Sequence, residues 1–303
     1  MAGKRGRTEK SIRATIAIVG AGNLASVLAL ALRRAGYQID SIISRDARSS
    51  MAGAQGLAKI VGSHADSIWA AQISADIVWL CVPDSEISRV AQFLAKRFDA
   101  NGGGWKKKIA LHSSGALTSN ELASLRRRGA AVASVHPLMT FVKGSGAALA
   151  GVSFAIEGDA AAVRSARQIV NALGGQAFSI RKRDKAAYHA WGTFASPLLT
   201  ALLATSEHVA AAADVPAKAA RRRMLPMVAQ TIANYAAAGA VSAFSGPIVR
   251  GDVDVVRRHL LALRIVPEAR EVYLALARAA VKYLPGKQRE AMRELLANPR
   301  TTK

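Results

Sequence analysis

The stretch "IAIVGAGNLASVLALALRRAG", residues 16–36, decides how this chain is read. Three structures suit it: the apolar part of a secretory signal, a piece of a membrane helix, or a strand-turn-helix that holds a phosphate. A basic start (Lys4, Arg5, Arg7, Lys10, Arg13) fits the first, because signal peptides open with positive charge. Residues 14–32 carry no formal charge, nearly the length of a membrane span. Yet Gly20-Ala21-Gly22-Asn23 interrupts the run, which ill suits a helix crossing a bilayer. The third structure accounts for every part. "ATIAIV" is a β-branched strand of the buried parallel type, and Asn23 to Arg34 is a helix ending near Gly36. Between them lies Gly20-x-Gly22-x-x-Ala25, the dinucleotide fingerprint in its Ala form.

Each small residue has a physical task. Gly20 permits the tight turn, Gly22 lets the backbone approach a pyrophosphate, and Ala25 keeps the helix close to the sheet. Free N–H groups at the helix start, around Ala21, Asn23 and Leu24, receive the phosphate charge. A second strand, "YQIDSIIS", ends at Ser44-Arg45, where an NAD site places an acid against the ribose hydroxyl. Serine followed by arginine suits a 2′-phosphate instead, so the expected cofactor is NADP(H). "ADIVWLCVPDSEI" (75–87) reads as a further buried strand whose turn, Val82-Pro83-Asp84, lies beside the cofactor. Asp84 or Ser85 caps the next helix, and Asp84 reads as an N-cap rather than a catalytic acid.

With 303 residues, 51% hydrophobic and 20% charged, the chain has room for two domains with real cores. Cys81 is the only cysteine, which leaves no disulfide framework and no cysteine-based zinc site. No metal-ligand cluster is read, and a reducing, cytoplasmic compartment is expected. The formal charge is +22, but the bases are scattered in short clusters such as Arg126-Arg128 and Arg221-Arg223. Without a nucleic-acid motif they read as a solvated basic surface, so no nucleic-acid partner is expected.

Two strand ends carry histidine: "LHSSGAL" (111–117) and "SVHPLMTF" (134–141). "GVSFAIEGD", the helix "AAVRSARQIVNALGG" and the strand "QAFSI" complete an α/β unit over residues 14–180, after a basic tail at 1–13. From 181 to 303 the pattern is helical. Residues 186–206 carry no formal charge but contain His189, Gly192 and Pro197, so a buried core or dimer helix is expected rather than a membrane span. The remaining helices are placed roughly at 216–239, 252–263, 267–284 and 286–298, with "FSGPIVRGD" (244–252) as a loop. The fold class is thus a doubly wound, mainly parallel Rossmann-type sheet followed by an all-helical domain.

Taken in order, GAGNLA, the VPD turn, HSSGAL, SVHPLMTF, IEGD, the Tyr188-His189-Ala190 segment and GPIVRGD resemble the Rossmann-like proteins with a C-terminal DUF2520 domain. These belong to the 6-phosphogluconate-dehydrogenase-like group, with ketopantoate reductase, pyrroline-5-carboxylate reductase and prephenate dehydrogenase. The resemblance covers residues 14 to about 274 and is specific to the family, not to a substrate. It implies an NADP-binding domain and a helical domain that commonly dimerises. Hydroxyacid dehydrogenases and ketopantoate reductases of this group carry a Lys on the first long interdomain helix and an Asn four residues later. Here Lys185 is kept and His189 stands in the Asn position. "ASPLLTAL" looks like the "NPLTA" of ketopantoate reductases, with Ser196 replacing Asn.

Lys185, His189, Gly192 and Ser196 fall on one helical face, which suits an anionic substrate. The alternative is a solvated Lys185 in the run "RKRDK" and a His189 packed in the core. The expected function is hydride transfer from NADPH to a small carboxylate-bearing carbonyl compound, with a ketopantoate-like 2-keto acid foremost. A cyclic-imine reductase and a non-catalytic NADP(H) sensor are the alternatives. Lys185 is the first choice of proton donor, and His189, His136 and His112 are the other candidates. Ser114 and Gly115 would hold the carboxylate, with Ser196, Arg250 and Asp252 contributing from the helical domain. A homodimer through that domain is expected, and no membrane partner.

Overall fold

The computed structural model describes residues 13–100, 104–144, 146 and 148–298. The basic tail therefore lies outside the described residues except for Arg13, as does part of the glycine-rich loop after residue 100. Two compact units divide between Phe194 and Ala195.

The first unit is an eight-stranded sheet: β1 (Ile16–Val19), β2 (Ile39–Ser44), β3 (His64–Ser67), β4 (Ile77–Leu80), β5 (Ile109–His112), β6 (Ala131–Pro137), β7 (Ser153–Gly158) and β8 (Gln176–Ser179). Their order is β3-β2-β1-β4-β5-β6-β7-β8, and every pair is parallel except β6 with β7. Helices α1 (Asn23–Arg34), α2 (Arg48–Val61), α3 (Asp84–Ala100), α4 (Ala123–Arg127) and α5 (Ala160–Ala172) connect the strands. The apolar runs follow from burial on both faces. Ile16 and Ile18 enter one core with Leu28 and Leu32 of α1, while Ala17 and Val19 enter the other with Ala91 and Leu94 of α3. The α1 residues Ala25, Leu28, Ala29 and Leu32 are buried at helical spacing, which fixes the face that meets the sheet.

The chain reverses its winding between β1 and β4, where such sheets open a crevice at the carboxyl ends of the strands. Gly20 and Pro83 follow those two ends. The first unit continues past residue 180, because the buried Lys185 and Tyr188 anchor α6 (Lys185–Ala195) in it.

The second unit holds α7 (Pro197–Ala211), α8 (Ala217–Ala243), α9 (Pro247–Arg250), α10 (Val253–Ala262), α11 (Pro267–Tyr283) and α12 (Arg289–Ala297). Its core is Val256, Leu260, Leu274, Ala277, Val281, Met292, Leu295 and Leu296, supplied by the last three helices. The uncharged run 186–206 is not one helix. Ser196 leaves helical geometry at φ −130°, because Pro197 disfavours the α conformation in the residue before it. Nor is α7 a buried core helix within this chain: it has no buried residue, and α8 has only Ala220. The loop expected at 244–252 contains the helical turn of α9. One stretch among the described residues, Ala217–Arg250, is long and apolar enough to cross a membrane by length and composition, and Gly239 breaks its helical geometry.

Gly158 marks the tightest point of the antiparallel pair. Its φ is +146°, and an added Cβ would lie 2.3 Å from the Val132 carbonyl oxygen and 2.6 Å from Ala133 Cα. Backbone cannot give way as a side chain can. Gly158→Ala is expected to lower stability by about 1–3 kcal/mol, the usual cost of overpacking. Urea unfolding measures it, and an unshifted midpoint would show that β6 and β7 part freely.

Candidate functional site

The turn after β1 has the form that the fingerprint requires. Gly20 adopts φ +115°, and a Cβ there would stand 2.3 Å from the Cys81 carbonyl oxygen, so only glycine fits. At Gly22 a Cβ would meet nothing within 4 Å, and the space above it is open. No side chain caps α1, and its first turn carries no acid. Its N–H groups and dipole are therefore left to an external anion. Asn23 contributes this way through its backbone, since its side chain donates to the Phe141 carbonyl at 3.0 Å. Ala25 is fully buried beneath the turn.

A cavity of about 730 Å³ opens from this turn. Gly20, Ala21, Gly22, Ser44, Arg45, Val82 and Pro83 line it as expected, whereas Leu24 does not. Ser44 is turned inward: its hydroxyl lies 3.1 Å from the Arg45 carbonyl and 3.0 Å from Met51 Sδ. Arg45, Ser49 and Ser50 add polar side chains to the lining, with Trp69 and the Glu86–Arg89 ion pair also on the wall. Ser49, Ser50 and Trp69 escaped the sequence reading. The serines follow Arg45 on α2 and were a legible signal; Trp69 follows a polar strand that no periodicity marks.

Asp84 leads from this cavity into a second cluster. It begins α3, and its carboxylate accepts the Ser114 hydroxyl at 2.7 Å, so its partner lies just after β5 rather than on its own helix. Ser114 is almost wholly buried, and its Oγ also accepts from Leu117 N at 2.9 Å. That hydroxyl is fully committed, which contradicts a role in holding a substrate carboxylate. The Ser114 carbonyl accepts from Lys185 Nζ at 2.9 Å, and Ser134 Oγ takes a second hydrogen bond from the same ammonium. Lys185 has no exposed surface at all. It is neither a solvated base nor a group facing open space, because α6 docks it against the residues just after β5 and the middle of β6.

His112 is equally sealed. Its Nδ1 accepts from Ser114 N at 3.1 Å and its Nε2 meets the Thr118 carbonyl at 3.0 Å, so both nitrogens are occupied. The expectation that it lines a crevice fails for that reason. His136 and His189 are half-buried, with ring centroids 5.8 Å apart across Gly115. A Cβ on Gly115 would lie 2.3 Å from His189 Cδ2 and 2.8 Å from His136 Nε2. His136 Nδ1 lies 2.9 Å from the Tyr188 hydroxyl. Beneath them Glu157 receives the Ser119 hydroxyl at 2.9 Å, and Asp159 receives Val132 N at 2.9 Å, which gives the IEGD segment a structural purpose.

Burial, then the Lys185 charge, holds the imidazole of His136 down to about 4; burial does the same for His112, opposed by its Thr118 bond. Burial also brings Lys185 down to about 8, against the pull of Glu157 and Asp84.

Of the residues expected from the helical half, Ser196 is the N-cap residue of α7, and its side chain makes no capping hydrogen bond. Arg250 Nε donates to Asp252 at 2.8 Å, so these two satisfy one another. Among the described residues no cluster of His, Cys, Asp or Glu has the makings of a metal site.

Residues 3–137 match the family described as Rossmann-like domain, and residues 152–280 match DUF2520, a domain of unknown function. The chain is a Rossmann-like and DUF2520 protein. No curated protein matches its sequence. Among solved structures, this DUF2520 protein is similar to one from Bacteroides fragilis provisionally named an NADP oxidoreductase, with 22% identity and a TM-score of 0.73. That match covers 89% of this chain and 98% of the other. A reductive aminase from Aspergillus terreus, solved with NADPH and ethyl-5-oxohexanoate, has 17% identity, covers 93% and 99%, and gives 0.63. A pyrroline-5-carboxylate reductase from Coxiella burnetii has 15% identity, covers 88% and 98%, and gives 0.53. At these identities the likeness establishes a shared fold.

Depressed imidazoles make a stability signature. The unfolded chain takes up its histidine protons near the ordinary 6.5, before the folded chain does at about 4. Stability from the neutral rings is therefore complete above about 6.5 and declines as pH falls toward 4. Urea unfolding across that window should show the decline, and His136→Gln should make it shallower. An equal slope in both proteins would mean that His136 takes its proton in the folded chain as readily as in the unfolded one.

Proposed function

We propose that this protein is an NADP(H)-dependent reductase of small C=N substrates. The observation that carries the reading is the continuity of an uncapped glycine cradle, through Pro83-Asp84, with a cluster that has sealed away the Lys185 cation. The cradle suits a pyrophosphate, and Arg45 with Ser49 and Ser50 suits a ribose 2′-phosphate. Bound NADPH supplies a hydride.

The acid–base character of the cluster supports C=N over C=O. A carbonyl gathers negative charge on oxygen as hydride arrives and must also take up a proton, which calls for an acid that can release one. Lys185 and His112 have no exposed surface, and His136 is held neutral at physiological pH. A protonated imine begins positive and ends neutral, so it brings its own proton. His136 and His189, on either side of Gly115, would orient such a substrate through an acceptor atom other than its iminium nitrogen. This reading replaces the ketopantoate-like 2-keto acid with the imine alternative, and the two similar enzymes named for amine and pyrroline chemistry support the change.

A second copy of the chain is proposed to cover the helical unit. Leu225, Met227, Ile232, Tyr235 and Val241 of α8 are exposed in one chain, and burying them calls for an interface above about 2,000 Å². Light scattering at micromolar concentration should report a dimer; a monomer refutes it.

Two measurements test the activity. NADPH should bind at least about tenfold tighter than NADH, and Arg45→Asp should abolish the difference. Equal titrations for the two cofactors on the unaltered protein would remove the 2′-phosphate assignment. In an NADPH-oxidation screen, cyclic imines should be turned over and ketopantoate should not. Turnover of ketopantoate alone would overturn the C=N reading, and cofactor binding without any turnover would favour a sensor.

A further inference from the structure

We propose that Tyr188 is a positioning residue whose hydroxyl fixes His136 as the neutral tautomer protonated on Nε2, so that the ring presents an N–H donor across Gly115. A tyrosine hydroxyl has one hydrogen to give. At 2.9 Å from His136 Nδ1, Tyr188 either donates that hydrogen or accepts one from the ring. Tyr188 is only 7% exposed, enclosed by the rings of His136, Phe178 and Trp191 at 5.5 to 6.0 Å. Among the described residues its hydroxyl has no second polar partner. Were the ring to donate, the tyrosine hydrogen would be left buried without an acceptor, which is the costlier arrangement. Donation by Tyr188 satisfies both atoms. Burial raises the phenol to about 12, so it remains a donor throughout the pH range of interest.

His112 offers an internal comparison. Its Nδ1 accepts from Ser114 N, and its Nε2–H is consumed by the Thr118 carbonyl. His136 has the same nitrogen accepting, but among the described residues its Nε2 has no protein partner. The absence of a side chain at Gly115 leaves that nitrogen uncovered, since a Cβ would sit 2.8 Å from it. Tyr188 is thus placed to turn an ambiguous imidazole into a directional donor for an acceptor atom of the substrate. The catalytic consequence rests on the reductase reading; the tautomer does not.

Long-range nitrogen–proton NMR on the full protein labelled with ¹⁵N-histidine reads the tautomer directly, with His136 assigned by the signals lost in His136→Gln. At neutral pH the unaltered protein should show His136 protonated on Nε2 and bare on Nδ1. Tyr188→Phe keeps the ring packing and should give a mixture of tautomers. A proton on Nδ1 in the unaltered protein, or a pure Nε2–H form in Tyr188→Phe, overturns the proposal. On a cyclic imine, Tyr188→Phe should lower kcat by about tenfold, the cost of one misdirected hydrogen bond, with NADPH affinity unchanged. Should no imine be reduced by the unaltered protein, the reductase reading fails while the NMR result still decides the tautomer.

Discussion

The contact on which the first unit's buried cluster depends is the Lys185 ammonium against the Ser114 carbonyl and the Ser134 hydroxyl. Removing a cation from water is costly, and hydrogen bonds from charged donors are the strong ones that offset it. Two acceptors, one just after β5 and one within β6, meet this need, and among the described residues no carboxylate bonds to it directly. The result is a pin. It locks α6 to β5 and β6, and α6 in turn carries Tyr188 and His189 to Gly115. A lysine placed for proton delivery would keep a face toward open space; this one has none.

The cofactor side is governed by close backbone approach rather than by charge. Gly20 lies against the Cys81 carbonyl, so β1 and β4 turn outward side by side at the reversal of the sheet. That geometry places Pro83-Asp84 at the cradle's rim, and the Asp84 carboxylate then engages Ser114. One hydrogen bond links the cavity to the lysine pin. Ser114 is its hub because its hydroxyl, amide and carbonyl each serve a different partner.

Much of this was legible from residues alone, and the failures have physical causes. The fingerprint, the parallel strands and α1 follow from small residues and apolar periodicity, which depend only on local sequence. β3 has no apolar pattern because "HADS" is an edge strand with an exposed start. The helical face through Lys185, His189, Gly192 and Ser196 broke at its last member, since the steric demand of Pro197 outweighs the apolar run. Sequence reading brought Lys185, His136 and His189 into one region, and the fold agrees. It could not tell which of them faces open space. Burial of a lysine depends on partners some fifty and seventy residues away, and no local pattern records them.

Two histidines that look alike in sequence, each at a strand end, acquire opposite characters through what their nitrogens meet. Both are neutral for the same reasons: burial foremost, and the positive charge of Lys185 nearby. The pin therefore acts twice, once mechanically on α6 and once electrostatically on the rings. If Lys185 lost its proton, the repulsion that helps keep His136 uncharged would vanish along with the charge that makes the lysine's own hydrogen bonds strong. A single buried cation thus couples the packing of α6 to the protonation of the ring it delivers toward Gly115. Within this unit, the lysine adds to burial in keeping that ring uncharged.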